Sequence, residues 1–272
     1  MPRPIELVVT DLDGTFWGPD GRCHPRTLAA VAELERRDIG VLIATGRRRR
    51  SCWLGLQAND VVLPAVLLNG CHGWDYRRHE QFHLVCFDAD EAHAVIDAAL
   101  ALDISPVIYV DQDDPDCYAT SACSTARGHL DALAHHLGDT PDLHHVADAH
   151  AVIGFAVLGR PLAEMEALAD DLNSNGAGLA TTSIDHQYGD ASVMVQPTGV
   201  TKWAGVTSFC HRHDIAADRV LAVGDAGNDL GMLEAATVAV AVEGSPASVL
   251  AAADHVIGPP ADGGWAELLT LV

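Results

Sequence analysis

Four short segments of this chain carry side chains that could do chemistry. Asp11-Leu12-Asp13-Gly14-Thr15 sets two carboxylates two residues apart. In an extended chain they share one side, and Gly14 lets the backbone turn sharply just beyond them. Ala44-Thr45-Gly46-Arg47 offers a hydroxyl, Lys202 an ammonium, and Gly224-Asp225-Ala226-Gly227-Asn228-Asp229 two more carboxylates. A carboxylate to attack, another to carry a proton, a hydroxyl donor, a cation and carboxylates for a metal are the parts of metal-assisted phosphoryl transfer. Taken alone, Asp13-Gly14 reads equally well as a polar strand-to-loop turn. The chemistry depends on whether the fold brings the four segments together.

The surrounding pattern provides the means. Short apolar runs alternate with helical periodicity, the mark of βαβ units around a parallel sheet. Strands are predicted at Ile5–Thr10, Gly40–Ala44, Ala65–Asn69, Arg219–Val223 and Val238–Val242, and helices at Pro25–Arg37, Arg47–Gln57, Lys202–His213, Asp229–Ala235 and Pro246–Ala252. Near-continuous apolar strands of this kind are buried on both faces. Ligands of open α/β sheets sit at the carboxyl ends of strands, and Asp11, Thr45 and Asp225 each follow such an end.

The middle of the chain reads differently. Strands are expected at Leu84–Phe87, Val107–Tyr109, Cys117–Thr120 and Ala151–Leu158, with helices at Ala89–Ala101, Thr125–Leu137 and Leu162–Asn173. A hairpin of Leu179–Ile184 and Ser192–Gln196 follows, its loop around Tyr188–Gly189. Hairpins mixed with helices indicate an α+β module. The expected fold class is therefore α/β: a Rossmann-like parallel-sheet core, residues 1–80 and 190–272, with an inserted α+β cap, residues 81–189.

Composition removes several functions. With 38 acidic and 16 basic residues the formal charge is −22, unsuited to displacing counterions from nucleic acid or an anionic membrane. No stretch approaches the roughly 20 apolar residues of a membrane span. The seven cysteines are scattered without a C-x-x-C pair, and the N-terminus has no signal-peptide pattern. A soluble, cytoplasmic protein with neither nucleic-acid nor membrane partners is expected. Arg48, Arg49 and Arg50 read as a solvated face and the fifteen histidines as surface residues, since adjacent histidines on a helix diverge by about 100°. Phe16 and Trp17 either pack in the core or edge a pocket.

The four segments, in this order, resemble the motifs of the haloacid dehalogenase superfamily. Leu42-Ile43-Ala44-Thr45-Gly46-Arg47, Leu68-Asn69-Gly70 and Gly224-Asp225-x-x-Asn228-Asp229-x-x-Met232-Leu233 are similar to its Cof-type sugar phosphatase branch, which carries an α/β cap between the second and third motifs. The resemblance implies Mg²⁺-dependent hydrolysis of a small phosphorylated metabolite, such as a sugar phosphate, through an aspartyl-phosphate. Asp11 is then the nucleophile and Asp13 the general acid and base. Thr45 donates to a phosphoryl oxygen, and Lys202 neutralises charge. Asp11, Asp225, Asp229 and the Asp13 backbone carbonyl hold the metal. Gly14, Arg47, Asn69, Gly70 and Asn228 are expected around the substrate. A phosphomutase of the same superfamily uses the same motifs and differs in its product; a non-catalytic phosphosugar-binding module would release no phosphate. Cys71 and His72 depart from the branch's small aliphatic pattern.

The acidity is uneven. Residues 81–189 hold 18 acidic and two basic residues, Arg127 and Arg160, so the cap has little to grip a second phosphate or carboxylate. A neutral polyhydroxyl or cationic leaving group is expected, with the loop Asp185–Asp190 and Trp17 as candidate contacts.

Overall fold

A computed structural model describes residues 4–120, 137–140, 142–184 and 190–272, in two compact units. The first comprises Met1–Leu84 and Thr201–Val272, the second Val85–Val200.

The first unit is built on an eight-stranded sheet. Its strands are β1 (Leu7–Thr10), β2 (Gly40–Ala44), β3 (Ala65–Leu67), β4 (His72–Asp75), β5 (Glu80–Leu84), β12 (Val220–Gly224), β13 (Val238–Val242) and β14 (His255–Ile257). The order is β14-β13-β12-β1-β2-β3-β4-β5, parallel through β3 and antiparallel beyond it. Side chains alternate between two apolar layers. Val8, Val41, Ile43, Leu221 and Val223 face one layer with Leu34, Leu56 and Trp265; Leu7, Val9, Leu42, Val220 and Ala222 face the other. Helices α1 (Pro25–Arg36) and α2 (Arg49–Ala58) serve the first layer. Helices α6 (Lys202–Arg212), α7 (Leu230–Ala235) and α8 (Ala247–Ala252) supply Val206, Phe209, Met232, Leu233 and Val249 to the second. Covering both faces in this way explains why the parallel strands are uninterrupted apolar runs.

The second unit carries a six-stranded sheet ordered β10-β11-β9-β6-β7-β8. Its strands are β6 (Val107–Val110), β7 (Cys117–Ala119), β8 (Leu137–Asp139), β9 (Val152–Arg160), β10 (Leu179–Ile184) and β11 (Ala191–Gln196). Helices α3 (Ala89–Ala101), α4 (Leu143–Ala149) and α5 (Leu162–Asn175) pack Val95, Ile96, Val146, Met165 and Leu168 against Ile108, Phe155, Val157 and Val193.

Three sequence expectations need correction. The strand expected at Leu84–Phe87 instead runs Glu80–Leu84 and pairs antiparallel with β4, so the core continues to residue 84. Residues 190–200 are not in the core: β11 is hydrogen-bonded on one side to β10 and on the other to β9, which commits it to the second sheet. The strand expected to reach Asn69 ends at Leu67, because Leu68 and Asn69 take left-handed backbone angles (φ 49° and 52°) that no strand admits. The helix expected at Thr125–Leu137 lies outside the described residues up to 136, and Leu137 opens a strand. Most of the 185–190 loop is also outside them. No described helix is long and apolar enough to cross a membrane.

Candidate active site

Adjacent parallel strands in matched register deliver the motifs to one edge of the sheet. Thr10 of β1 is level with Val223 of β12 and Ile43 of β2, and Ala44 is level with Val66 of β3. The next residues off those strands are Asp11, Asp225, Thr45 and, after the turn at Leu68, Asn69. The ladder extends one step further: Asp11 N–H donates to the Val223 carbonyl at 3.0 Å and Thr45 N–H to that of Val66 at 2.9 Å.

Lys202 joins them from the start of α6, a position where the helix dipole disfavours a cation. It is the chain's single lysine and is 1% exposed. Two carboxylates offset the unfavourable placement. Lys202 Nζ donates to Asp11 Oδ1 at 2.6 Å and to Asp229 Oδ1 at 2.7 Å. Asp229 Oδ2 accepts the backbone N–H groups of Asp225 and Ala226, both at 3.0 Å, which pins the loop after β12. Thr15 Oγ1 donates to Asp225 Oδ1 at 2.6 Å.

Two glycines make these approaches possible. Gly14 sits at φ +90°, and a β-carbon there would fall 2.5 Å from Asp225 Oδ2. Gly70 sits at φ +117°, and its β-carbon would fall 2.1 Å from the Thr201 carbonyl oxygen, so the turn after β3 lies directly against the start of α6. Both were expected beside the substrate; what the structure shows for them is packing that places Asp225 and Lys202.

A second group of contacts surrounds Asp13. Arg47 forks onto its carboxylate, Nε to Oδ2 and Nη2 to Oδ1, each at 2.7 Å. Arg47 N–H donates to Thr45 Oγ1 at 3.1 Å. Asn69 N–H donates to the Thr45 carbonyl, and Asn228 Nδ2 to Asn69 Oδ1, both at 3.1 Å. Asn69 and Asn228, expected at the substrate, therefore bond to each other. Trp17 is fully buried rather than at a pocket edge, and Phe16 packs edge-on to Trp265. Arg48, Arg49 and Arg50 are half-buried rather than solvated; Arg49 lies 4.3 Å over the Trp74 ring.

The electrostatics call for a cation. Oxygens of Asp11, Asp225 and Asp229 lie within 4.8 Å of one another. Burial pushes Asp11 well above the ordinary carboxylate range; Lys202 pulls against that rise, and Asp229, Asp225 and Asp13 add to it. Asp225 is pushed up to about 6, chiefly by burial, with Thr15 opposing. Burial alone would lower Lys202, yet Asp11 and Asp229 hold it above its usual value and fully charged. One ammonium does not balance three converging carboxylates. An all-oxygen donor set with excess negative charge fits a hard divalent cation. Among the described residues no other group of histidine, cysteine or acidic side chains gathers in this way. The six described cysteines form no disulfide.

A sequence profile of haloacid dehalogenase-like hydrolases matches residues 8–269, nearly the whole chain. The chain belongs to that family. The full span also aligns with named relatives. A Schizosaccharomyces pombe protein named as an uncharacterized hydrolase is 27% identical over 99% of this chain and 92% of its own length. The Escherichia coli pyridoxal phosphate phosphatase YbhA is 25% identical over 93% of each chain. A solved phosphatase of the same superfamily from Bacteroides thetaiotaomicron superposes with a TM-score of 0.80 at 20% identity, covering 100% of this chain and 97% of that one. The chain described here is thus a haloacid dehalogenase-like hydrolase, and its mixed α/β architecture is that of its solved relative.

Proposed function

We propose that this enzyme hydrolyses a small phosphomonoester, such as a sugar phosphate, with Mg²⁺ and through a phosphate ester formed on Asp11. The observation that carries this reading is the Lys202 ammonium held between Asp11 and Asp229 with Asp225 alongside, a buried carboxylate cluster with a cation deficit.

Asp11, Asp225, Asp229 and the Asp13 carbonyl are the residues that would hold Mg²⁺, which supplies the positive charge a phosphate dianion needs to approach carboxylates. Asp229 already gives Oδ1 to Lys202 and Oδ2 to two backbone N–H groups, so its part is mainly to hold the loop. Lys202 fixes the Asp11 carboxylate by Oδ1, and an Asp11 oxygen attacks phosphorus. Asp13 protonates the departing alkoxide and then takes a proton from the water that cleaves the aspartyl-phosphate. Thr45 Oγ1 accepts from Arg47 N–H, which leaves its own hydrogen for a phosphoryl oxygen. Arg47 turns its fork from Asp13 to the incoming phosphate.

Substrate selection is assigned to the second unit, as the cap. Its one described arginine, Arg160, is paired with Glu164 at 2.9 Å, which leaves little to bind a second anion. The leaving group is therefore a neutral polyhydroxyl or cationic alcohol. Pyridoxal, the alcohol released by the Escherichia coli relative's named substrate, is compatible with that description.

A phosphate-release screen over phosphomonoesters tests the reading. Activity is expected with Mg²⁺, lost with EDTA, and lower in kcat/KM for each bisphosphate than for the matched monophosphate. Asp11→Asn is expected to lower turnover of p-nitrophenyl phosphate by about a thousandfold or more. Wild-type turnover by that variant would end the assignment.

A further inference from the structure

Trp17 stands outside the four motifs, yet its polar atom points into them. The ring has no exposed surface. Gly55 of α2 makes room for it: a β-carbon at position 55 would lie 2.6 Å from the indole. Phe16 meets the ring edge-on with centroids 6.3 Å apart, and Gly14 N–H donates to the Trp17 carbonyl at 3.1 Å. A buried indole N–H needs an acceptor. It finds Asp13 Oδ1 at 2.9 Å.

Asp13 therefore has two holders of unlike character. Arg47 reaches it on a long side chain that is 30% exposed, and the same guanidinium is assigned to the incoming phosphate. The indole is fully buried, and its N–H is directed at Asp13 Oδ1. Arg47 also lies over the Trp17 ring, its guanidinium carbon 5.2 Å from the centroid, so one aromatic side chain steadies both partners of the fork.

We propose that Trp17 is a positioning residue: its indole N–H holds Oδ1 of Asp13, so that Oδ2 is the oxygen that exchanges the proton. This rests on the phosphatase reading above. In the first step the Asp13 Oδ2–H bond breaks as the leaving group's O–H bond forms. The Asp11–phosphorus bond forms as the ester bond breaks. In the second step water passes a proton to Oδ2 while its oxygen attacks phosphorus, and the Asp11–phosphorus bond breaks. Asp13 ends protonated, as it began.

Loss of the indole N–H lets the Asp13 carboxylate turn away from the leaving oxygen. The cost then falls on leaving groups that need a proton most. A series of substituted phenyl phosphates, from p-nitrophenyl to p-methylphenyl, reads this directly through kcat/KM. Trp17→Phe keeps an aromatic ring and removes the donor. It is expected to lower kcat/KM for p-methylphenyl phosphate by about tenfold and for p-nitrophenyl phosphate by less than about twofold. In an Asp13→Asn background the same substitution is expected to add nothing, because its effect runs through Asp13. An equal loss across the series, or a loss that persists without the Asp13 carboxyl, marks a structural role and overturns the proposal. If the phenylalanine variant does not fold, 3-benzothienylalanine placed at position 17 keeps the shape without the N–H and is read in the same way. No phosphate release by the wild-type enzyme with Mg²⁺ would sink the phosphatase reading and this inference together, whereas a Trp17→Phe variant that matches wild type sinks the inference alone.

Discussion

The two units of this chain place their charge in opposite ways. In the first, Asp11, Asp229 and Lys202 are buried at the sheet edge and hold one another at 2.6–2.7 Å. In the second, none of the described acidic residues is buried, although that segment carries most of the chain's excess acidity. A solvated carboxylate costs little, keeps a protein soluble and needs no partner. A buried one is costly unless paired, so a cluster of buried charge persists where it serves a purpose. Counting acids alone would have pointed to the wrong unit.

That contrast can be broken most forcefully at Lys202. Lys202→Met keeps the length of the side chain but leaves Asp11 and Asp229 without their shared cation. Stripping one partner from a buried ion pair costs about 3–5 kcal/mol, and thermal or urea unfolding should show a loss of that order together with lost phosphate release. A variant as stable as wild type would mean the carboxylates are not held as described.

A subtler probe is the metal's effect on stability as pH changes. Asp225 sits at about 6 in the folded chain against an ordinary value of 3.8, and Asp11 is shifted in the same direction. Groups raised in this way contribute stability that is fully present below the ordinary value and lost as pH rises through the folded one. The metal-free enzyme is therefore penalised most above pH 6 or so, where a divalent cation can replace the missing proton. Mg²⁺ should raise Tm more at about pH 7.5 than at about pH 5. An equal rise at both would disconnect the cation from these carboxylates.

The smallest effect is expected in the second unit. Glu166 and Asp170 are exposed on α5. Their neutralisation, Glu166→Gln with Asp170→Asn, should leave stability within about 0.5 kcal/mol and turnover of p-nitrophenyl phosphate unchanged. A large loss in either would show that the surface charge has a function the contrast denies it.

Much of the first unit is readable without coordinates, because a strand buried on both faces must be apolar throughout and must stop where a charge begins. The boundaries Gly40–Ala44 and Val238–Val242 follow from that alone, and so does the location of Asp11 and Asp225 at strand ends. Lys202 carries a strong mark in the sequence: it is the only lysine in the chain, at a helix start where an acid would be normal. The hairpin of β4 and β5 is not legible in the sequence because His72–Leu84 is mostly polar and half-exposed, with no clean alternation to mark it. Strand β11 looks like a neighbour of the core in sequence, and only its two pairing partners assign it elsewhere. Trp17 is the sharpest case. Its spacing from Asp13 is visible, but whether the indole faces a pocket or the core depends on Gly55, a residue of α2 distant in sequence.

The proposed mechanism requires that Asp11 itself receive the phosphoryl group. Rapid mixing with p-nitrophenyl phosphate and Mg²⁺, acid quench and mass spectrometry of the proteolytic peptides test it most directly. Phosphate is expected on the peptide that contains Asp11, localised to that residue, formed within the first turnover and absent from Asp11→Asn. Phosphate on another side chain, or full turnover with no phosphorylated peptide at any quench time, would contradict it.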